Sequence, residues 1–351
     1  MSSPGDALLQ VHGLKVHYGL PRAGLFRRGP TVRAVDGVTF DVRQGTTFGI
    51  VGESGCGKST TALATLRLVK STDGSIRFDG QEIRSADERT MRALRRRMQI
   101  IFQDPYSSLN PRDRAGEIVD EPLRLLTTLD APQRRARVAE IFERVGLRPE
   151  QAKLFPHQFS GGQRQRIGIA RALAARPDLI VCDEPVSALD VAIQAQILNL
   201  LIRLQDELKL TYLFISHDLA VVQYLCDEIA VMYLGRIVER ADRRSLFLRP
   251  LHPYTIALLS ADPIKDPAER GAKAIQLLKG DAPSPINPPT GCHFHTRCPH
   301  TQERCRGDAP ALREVAGGHR VACHFVGDDG QAPWSDGTVG VSQQGSAPLP
   351  A

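Results

Sequence analysis

Phe48-Gly49-Ile50-Val51-Gly52-Glu53-Ser54-Gly55-Cys56-Gly57-Lys58-Ser59-Thr60 is the stretch that decides the fold. From Gly52 onward it fits the pattern G-x-x-x-x-G-K-S/T, in which a glycine-rich turn connects a strand to a helix. The flanks suit that reading: an apolar run (Phe48, Ile50, Val51) precedes the turn, and an apolar-periodic helix is expected over Thr61 to Leu68. Glycines at 52, 55 and 57 let the backbone curl until successive N–H groups point inward at phosphate oxygens. The helix N-terminus adds a partial positive charge, and Lys58 a full one suited to the β- and γ-phosphates. The Ser59 hydroxyl is placed to ligate Mg²⁺, and Ser54, Cys56 and Thr60 complete the cradle. A glycine turn before a helix can be purely structural, but Lys-Ser in this context favours nucleotide binding.

Working outward, Leu8 to Tyr18 reads as a strand with an irregularity near Gly13, and Val32 to Val42 as a second strand after a Gly/Pro/Arg loop. A short strand (Ser75 to Phe78), a basic helix (Asp87 to Arg97) and a buried strand (Met98 to Phe102) follow the loop helix. Residues 104–175 are mostly helical in pattern. Leu179 to Cys182 and Tyr212 to Ile215 are apolar runs typical of buried parallel strands, separated by an amphipathic helix over Val191 to Leu208. The expected fold class is α/β, a mixed or parallel sheet with a helical insertion. Prolines accumulate after Arg249 and cysteines after Cys292. The expected organisation is therefore a nucleotide-binding domain over 1–248, a Cys/Pro-rich extension over 249–326 and a disordered tail over 327–351.

Composition bounds the alternatives. A chain of 351 residues suggests two domains, and 42% hydrophobic with 24% charged residues is ordinary for a globular protein. No apolar stretch approaches the roughly 18 residues of a membrane-spanning helix. Met1 to Asp6 lacks a basic n-region and an apolar h-region, so a cytosolic location is expected. A net charge of +6 fits anionic ligands without choosing among them. Arg92, Arg95, Arg96 and Arg97 have no interleaved aromatics, so they read as a solvated helix face and no nucleic-acid partner is expected. In a reducing compartment, Cys56, Cys182 and Cys226 read as buried small hydrophobes rather than disulfides.

Chemistry-bearing residues recur downstream. Asp183 and Glu184 end the apolar strand Leu179 to Cys182, which sets two carboxylates beside the phosphate loop of a parallel sheet. Asp183 is suited to holding Mg²⁺, and Glu184 to polarising an attacking water as general base. Gln103 follows the strand Met98 to Phe102, within reach of the metal or the water. Phe159-Ser160-Gly161-Gly162-Gln163 opens a further helix and offers a second anion-binding start, although an ordinary capped turn would look the same. Ser187 to Asp190 and His217 come next.

In this order, these segments resemble the ATP-binding cassette (ABC) ATPase family over roughly residues 8–248, with Phe159 replacing the commoner leucine of the signature. The resemblance implies a composite site in which two cassettes close head to tail. ATP on one phosphate loop is then capped by Ser160, Gly161, Gly162 and Gln163 of the partner, with Asp190 beside it. It further implies that His217 contacts the γ-phosphate and positions the water; Tyr18 is the candidate to stack on adenine, with edge-strand packing as its alternative role. Non-transport cassettes, such as chromosome-organising enzymes, surround the fold with long coiled coils. No sustained heptads occur here between Ser59 and Ser160.

Gln103 to Arg112, Asp183 to Val191, Leu251 to Thr255 and Ser284 to Cys292 are similar to ATPase subunits of oligopeptide/dipeptide importers. That likeness implies a related or identical second ATPase subunit, two transmembrane permeases and an extracytoplasmic peptide-binding protein. It also implies a peripheral position on the cytoplasmic face of the inner membrane. Nickel or glutathione is the alternative cargo. Cys292, Cys298, Cys305 and Cys323 are spaced x5, x6 and x17, wider than the tight pairs of structural zinc sites. This spacing suits an iron–sulfur cluster, and in the importer family the segment looks like a 4Fe–4S region; zinc and plain reduced thiols remain the alternatives.

Overall fold

The computed structural model describes residues 7–20, 29–104, 106–261 and 280–334. Two sheets organise it. Strands β1 (Ala7–Gly19) and β2 (Thr31–Arg43) pair antiparallel, and β4 (Asp73–Phe78) with β5 (Gln81–Glu82) extends them in the order β2-β1-β4-β5. The expected irregularity near Gly13 is a register shift between Val11 and Leu14, where Gly13 takes φ 56°. A left-handed residue breaks the alternation there, and glycine adopts it without a Cβ penalty.

The second sheet carries the site. Its parallel strands are β3 (Thr47–Val51), β6 (Met98–Ile101), β7 (Leu179–Asp183), β8 (Thr211–Ser216) and β9 (Glu228–Tyr233), in the spatial order β9-β3-β8-β7-β6. Every residue of β3, β7 and β8 is buried, as strands covered on both faces require. Each aliphatic side chain so placed contributes about 1.5–3 kcal/mol. Register decides what the C-terminal edge presents. Val51 pairs with Ser216, and Asp183 with Ile215, so the residues after β3, β7 and β8 emerge side by side.

Helices link and cover the strands: α1 (Lys58–Thr65), α2 (Glu88–Arg97), α3 (Ala115–Leu126), α4 (Ala131–Arg144), α5 (Gly161–Ala174), α6 (Val191–Leu208) and α7 (Leu219–Leu225). Helix α1 starts about a turn earlier than its apolar period suggests. Its N-cap is Gly57 at φ 106°, so Lys58 already lies in the first turn. Helix α2 carries the basic cluster. Arg95 pairs with Glu88, and Arg97 pairs with Asp79 and Asp178 while covering the Phe78 ring. Helices α3 to α5 share one core through Ile118, Val119, Ile141, Phe142 and Ile167. Cys56, Cys182 and Cys226 are buried and unbridged.

The later chain does not stand apart from the cassette. Strand β10 (Arg236–Asp242) pairs antiparallel with β9, helices α8 (Arg243–Leu248) and α9 (Pro253–Ala261) follow, and α10 (Glu303–Gly307) precedes two short strands. These, β11 (Arg313–Glu314) and β12 (Arg320–Val321), add to the β10 edge of the same sheet. Wholly buried Glu239 on β10 accepts the backbone N–H groups of Leu251 and His252, and lies 2.7 Å from His319 Nε2. A buried carboxylate needs such a full set of partners. One expectation fails here. Residues 327–334, read from composition as the start of a disordered tail, pack on the extension instead. The Trp334 indole stacks on His300 at 4.4 Å and donates to the Leu251 carbonyl at 3.1 Å. The half-buried indole, packed against the Leu251, Val315, Val321, Val326 and Ala332 cluster, outweighs a polar, glycine-rich context. The rest of that expected tail lies outside the described residues.

Candidate active site

A cleft of about 650 Å³ opens over the C-terminal edge of the parallel strands, lined by Gly52 to Gly55, Gly57 to Thr60, Gln103, Glu184 and His217. Gly52 and Gly57 are required there. Both have positive φ, and a Cβ at these positions would run into the backbone carbonyl oxygens of Met232 and Ala34 respectively. Gly55 (φ 77°) faces open space, so its constraint is backbone conformation alone. Cys56 contributes only backbone, because its side chain is buried beneath Gly52.

The Lys58 ammonium is held inside the loop, donating to the Gly52 carbonyl at 2.8 Å and the Glu53 carbonyl at 3.0 Å. Ser59 Oγ donates to Asp183 Oδ1 at 2.8 Å. These are hard oxygen donors of the kind Mg²⁺ takes, on a carboxylate only 7% exposed. Burial pushes the Asp183 carboxyl up, reinforced by the neighbouring Glu184 charge, against the opposing effects of the Ser59 hydrogen bond and Lys58. A bound cation would reverse that balance.

Glu184 stands just beyond β7 in the left-handed region (φ 47°), its N–H bonded to the Ile215 carbonyl. This turn aims its carboxylate into the cleft, where Oε2 accepts from Gln103 Nε2 at 2.9 Å and lies 3.0 Å from His217 Nδ1. Gln103 therefore meets the carboxylate rather than the Ser59–Asp183 pair.

Other expected site residues lie elsewhere. Ser160 is the N-cap of α5: its N–H donates to Gln163 Oε1 at 3.0 Å, and its Oγ accepts from the Gln163 N–H at 3.4 Å. This reciprocal capping box leaves Ser160 exposed, and none of Ser160 to Gln163 lines the cleft. Asp190 is the exposed N-cap of α6 without a side-chain cap bond, and Val191 beside it is 81% exposed. Tyr18 pairs with Val32 near the end of β1, 42% exposed and outside the cleft lining, although Ala34 on the same partner strand does line it.

Three residues of the later chain reach the loop and were not foreseen. The Glu53 N–H donates to the Tyr254 hydroxyl at 2.9 Å, Arg297 grips the Glu53 carboxylate, and Leu258 lines the cleft. The four late cysteines line one small cavity together with His252, His295 and His324. Burial, with a smaller contribution from the neighbouring thiols, pushes Cys292 up to about 11 and Cys298 up to about 12. Among the described residues, no group of three or more His, Cys, Asp or Glu could hold a metal ion as the side chains stand.

Known proteins agree with this geometry. The ABC transporter family model matches residues 35–187, and the model of the oligopeptide/dipeptide transporter C-terminal region matches 238–305. The chain is 50% identical to a probable peptide ABC transporter ATP-binding protein, y4tS of Sinorhizobium fredii, over 98% of this chain and 96% of that one. It is 49% identical to the oligopeptide transport ATP-binding protein AppF of Bacillus subtilis, over 91% and 98%. The chain belongs to the ABC transporter ATP-binding family. Among solved structures it resembles cbiO1 of Clostridium perfringens, part of the transporter complex cbiONQ, with TM-score 0.59 and 27% identity over 69% of this chain and 91% of that one. It equally resembles the dimeric cassette MJ0796 bound to ADP and Pi, with TM-score 0.59 and 29% identity over 67% and 99%. This family membership makes the chain an ATPase with the mixed α/β cassette fold. Among the described residues, no helix is long and apolar enough to cross a membrane.

Proposed function

We propose that this chain is the ATP-hydrolysing subunit of a peptide importer, with a cassette over residues 1–248, helical subdomain included, and an importer-type extension after it. The carrying observation is a cleft that gathers Lys58, Ser59 and the Glu184–Gln103–His217 group but lacks any signature residue of its own chain. Such a half-site needs Ser160 to Gln163 of a second cassette, related or identical, docked head to tail, with Asp190 at the junction. The loop N–H groups and Lys58 bind the β- and γ-phosphates of ATP, and Tyr18, paired with Val32 on the strand that brings Ala34 to the cleft, is the candidate to stack on adenine. Ser59 and Asp183 would hold Mg²⁺, joined by Gln103 once its amide turns from Glu184, and the ion would supply charge neutralisation at the phosphates. Glu184 accepts a proton from the water whose oxygen bonds to the γ-phosphorus as the bond to ADP breaks, and His217 orients that water and the γ-phosphate. These assignments rest on the match of motif to position.

The chain then works on the cytoplasmic face of the inner membrane beneath two permeases, with an extracytoplasmic binding protein delivering peptide. A groove lined by Leu66, Leu68, Met98, Ile100, Pro122 and Leu125 opens between sheet edge and helical subdomain, with Leu68 and Leu125 about half exposed. It suits an apolar permease segment. The test is ATP turnover by the assembled complex in liposomes. Peptide-loaded binding protein is expected to stimulate turnover several-fold. Stimulation by nickel- or glutathione-loaded protein instead would reassign the cargo.

The four cysteines line one small cavity, and this soft donor set would hold a 4Fe–4S cluster only once the thiols deprotonate and their side chains shift to make room for it. Its role would be to staple the proline-rich extension. Anaerobic purification is expected to give about four iron atoms per chain and visible absorbance, the composition of one 4Fe–4S cluster. A colourless protein with one zinc would refute the cluster.

A further inference from the structure

We propose that Arg297 and Tyr254, in the later chain, are positioning residues for the ATP phosphates, acting through Glu53. The inference deepens the proposed reading of the phosphate loop and rests on it.

Glu53 is the second residue of that loop, and each of its polar groups is engaged. Its carbonyl accepts from Lys58 Nζ, its N–H donates to the Tyr254 hydroxyl at 2.9 Å, and its carboxylate takes two parallel bonds from Arg297 at 2.7 and 3.0 Å. A bidentate guanidinium–carboxylate pair fixes angle as well as distance. The Arg297 side chain is only 6% exposed and lies against the Tyr233 ring, 5.9 Å from its centroid. Tyr254 is fully buried.

These two side chains stand on a rigid base. Tyr233, at the end of β9, packs on Tyr254 at 4.7 Å and edge-on to Phe294 at 5.3 Å, and Tyr254 meets Phe294 at 5.4 Å. The cassette sheet, helix α9 and the cysteine-bearing segment thus meet in one aromatic knot directly under the loop. A loop rich in glycine has many backbone states, and nucleotide affinity falls by the fraction of time it spends outside the binding one. Fixing the Glu53 peptide at three points removes that freedom. It also sets the carbonyl on which the Lys58 ammonium rests.

A purely structural role would have the pair dock the extension and nothing more. The two roles separate in measurement. In the full-length protein, Arg297→Ala is expected to raise the KM and Kd for ATP about tenfold, with kcat at saturation changed less than about twofold. Glu53→Gln should raise KM and Kd by a similar factor. The double variant should be no worse than either single one, because the two residues act through one contact. Tyr254→Phe keeps the aromatic packing, and is expected to raise Kd about threefold with the thermal midpoint preserved. Lys58→Ala is the control: it should abolish tight binding whether or not the brace exists. Unchanged Kd in Arg297→Ala and Tyr254→Phe, with binding lost in Lys58→Ala, would overturn the brace and leave the phosphate loop standing. Retained binding in Lys58→Ala would overturn the reading beneath it.

Discussion

Glu184→Gln is expected to lower steady-state phosphate release by about 10²–10⁴-fold, the usual worth of a general base, while ATP affinity stays within about twofold. The substitution is nearly isosteric. Both contacts converge on Oε2, at 2.9 Å from Gln103 Nε2 and 3.0 Å from His217 Nδ1, and an amide oxygen turned to that place can still accept from Gln103 and from an Nδ1-protonated His217. What is lost is a basic site for the proton of water. Full turnover in the variant would remove Glu184 from that role. The same variant tests the shared site. If the signature acts in trans, a Glu184→Gln chain mixed with a Ser160→Arg chain forms one intact site: phosphate loop and Glu184 from the second, Ser160 from the first. Mixing two nearly inactive chains should then restore turnover. If each chain completed its own site, the mixture would stay inactive.

How much of this was legible in the sequence depends on the distance over which the chemistry acts. The loop, the Asp183-Glu184 pair, Gln103 and His217 could be read because each follows a short buried strand. In a parallel sheet all such strand ends share one edge, so local readings converge in space. The cassette's separate antiparallel sheet was not legible, because alternation in β1 and β2 does not reveal which strands pair. The Glu53–Arg297 bond, spanning 244 positions, leaves no periodic or spacing signal at either end. A glutamate in a glycine loop reads as solvent-facing, and an arginine among cysteines and histidines as part of a basic surface. Residues 327–334 misled for a related reason. Composition averages over a window, whereas one half-buried indole, stacked on His300 and bonded to the Leu251 carbonyl, decides the local energy. The signal that could have located the extension's contacts was the apolar Leu251 to Leu259 run, which is too hydrophobic for a linker.

Lys58→Ala is expected to weaken ATP binding by about 10²–10³-fold, read by titration with a non-hydrolysed analogue. The magnitude follows from losing charge-assisted hydrogen bonds to the phosphates at about 1.5–3 kcal/mol each. The burial and bonding of Lys58 refine the expectation. The ammonium is 4% exposed and already bonded to the carbonyls of Gly52 and Glu53, so binding redirects a desolvated charge instead of stripping one of water. That desolvation is covered by folding, and the interaction with phosphate is correspondingly strong. Truncation has a second consequence in the free protein. It leaves two loop carbonyls without their donor, in a segment where Gly52 and Gly57 tolerate no Cβ. Lys58→Arg keeps the charge but must place a larger planar group in the same buried space, so it should recover only part of the affinity. A Lys58→Ala chain that bound the analogue normally would mean that the backbone N–H groups and the helix terminus hold the phosphates unaided.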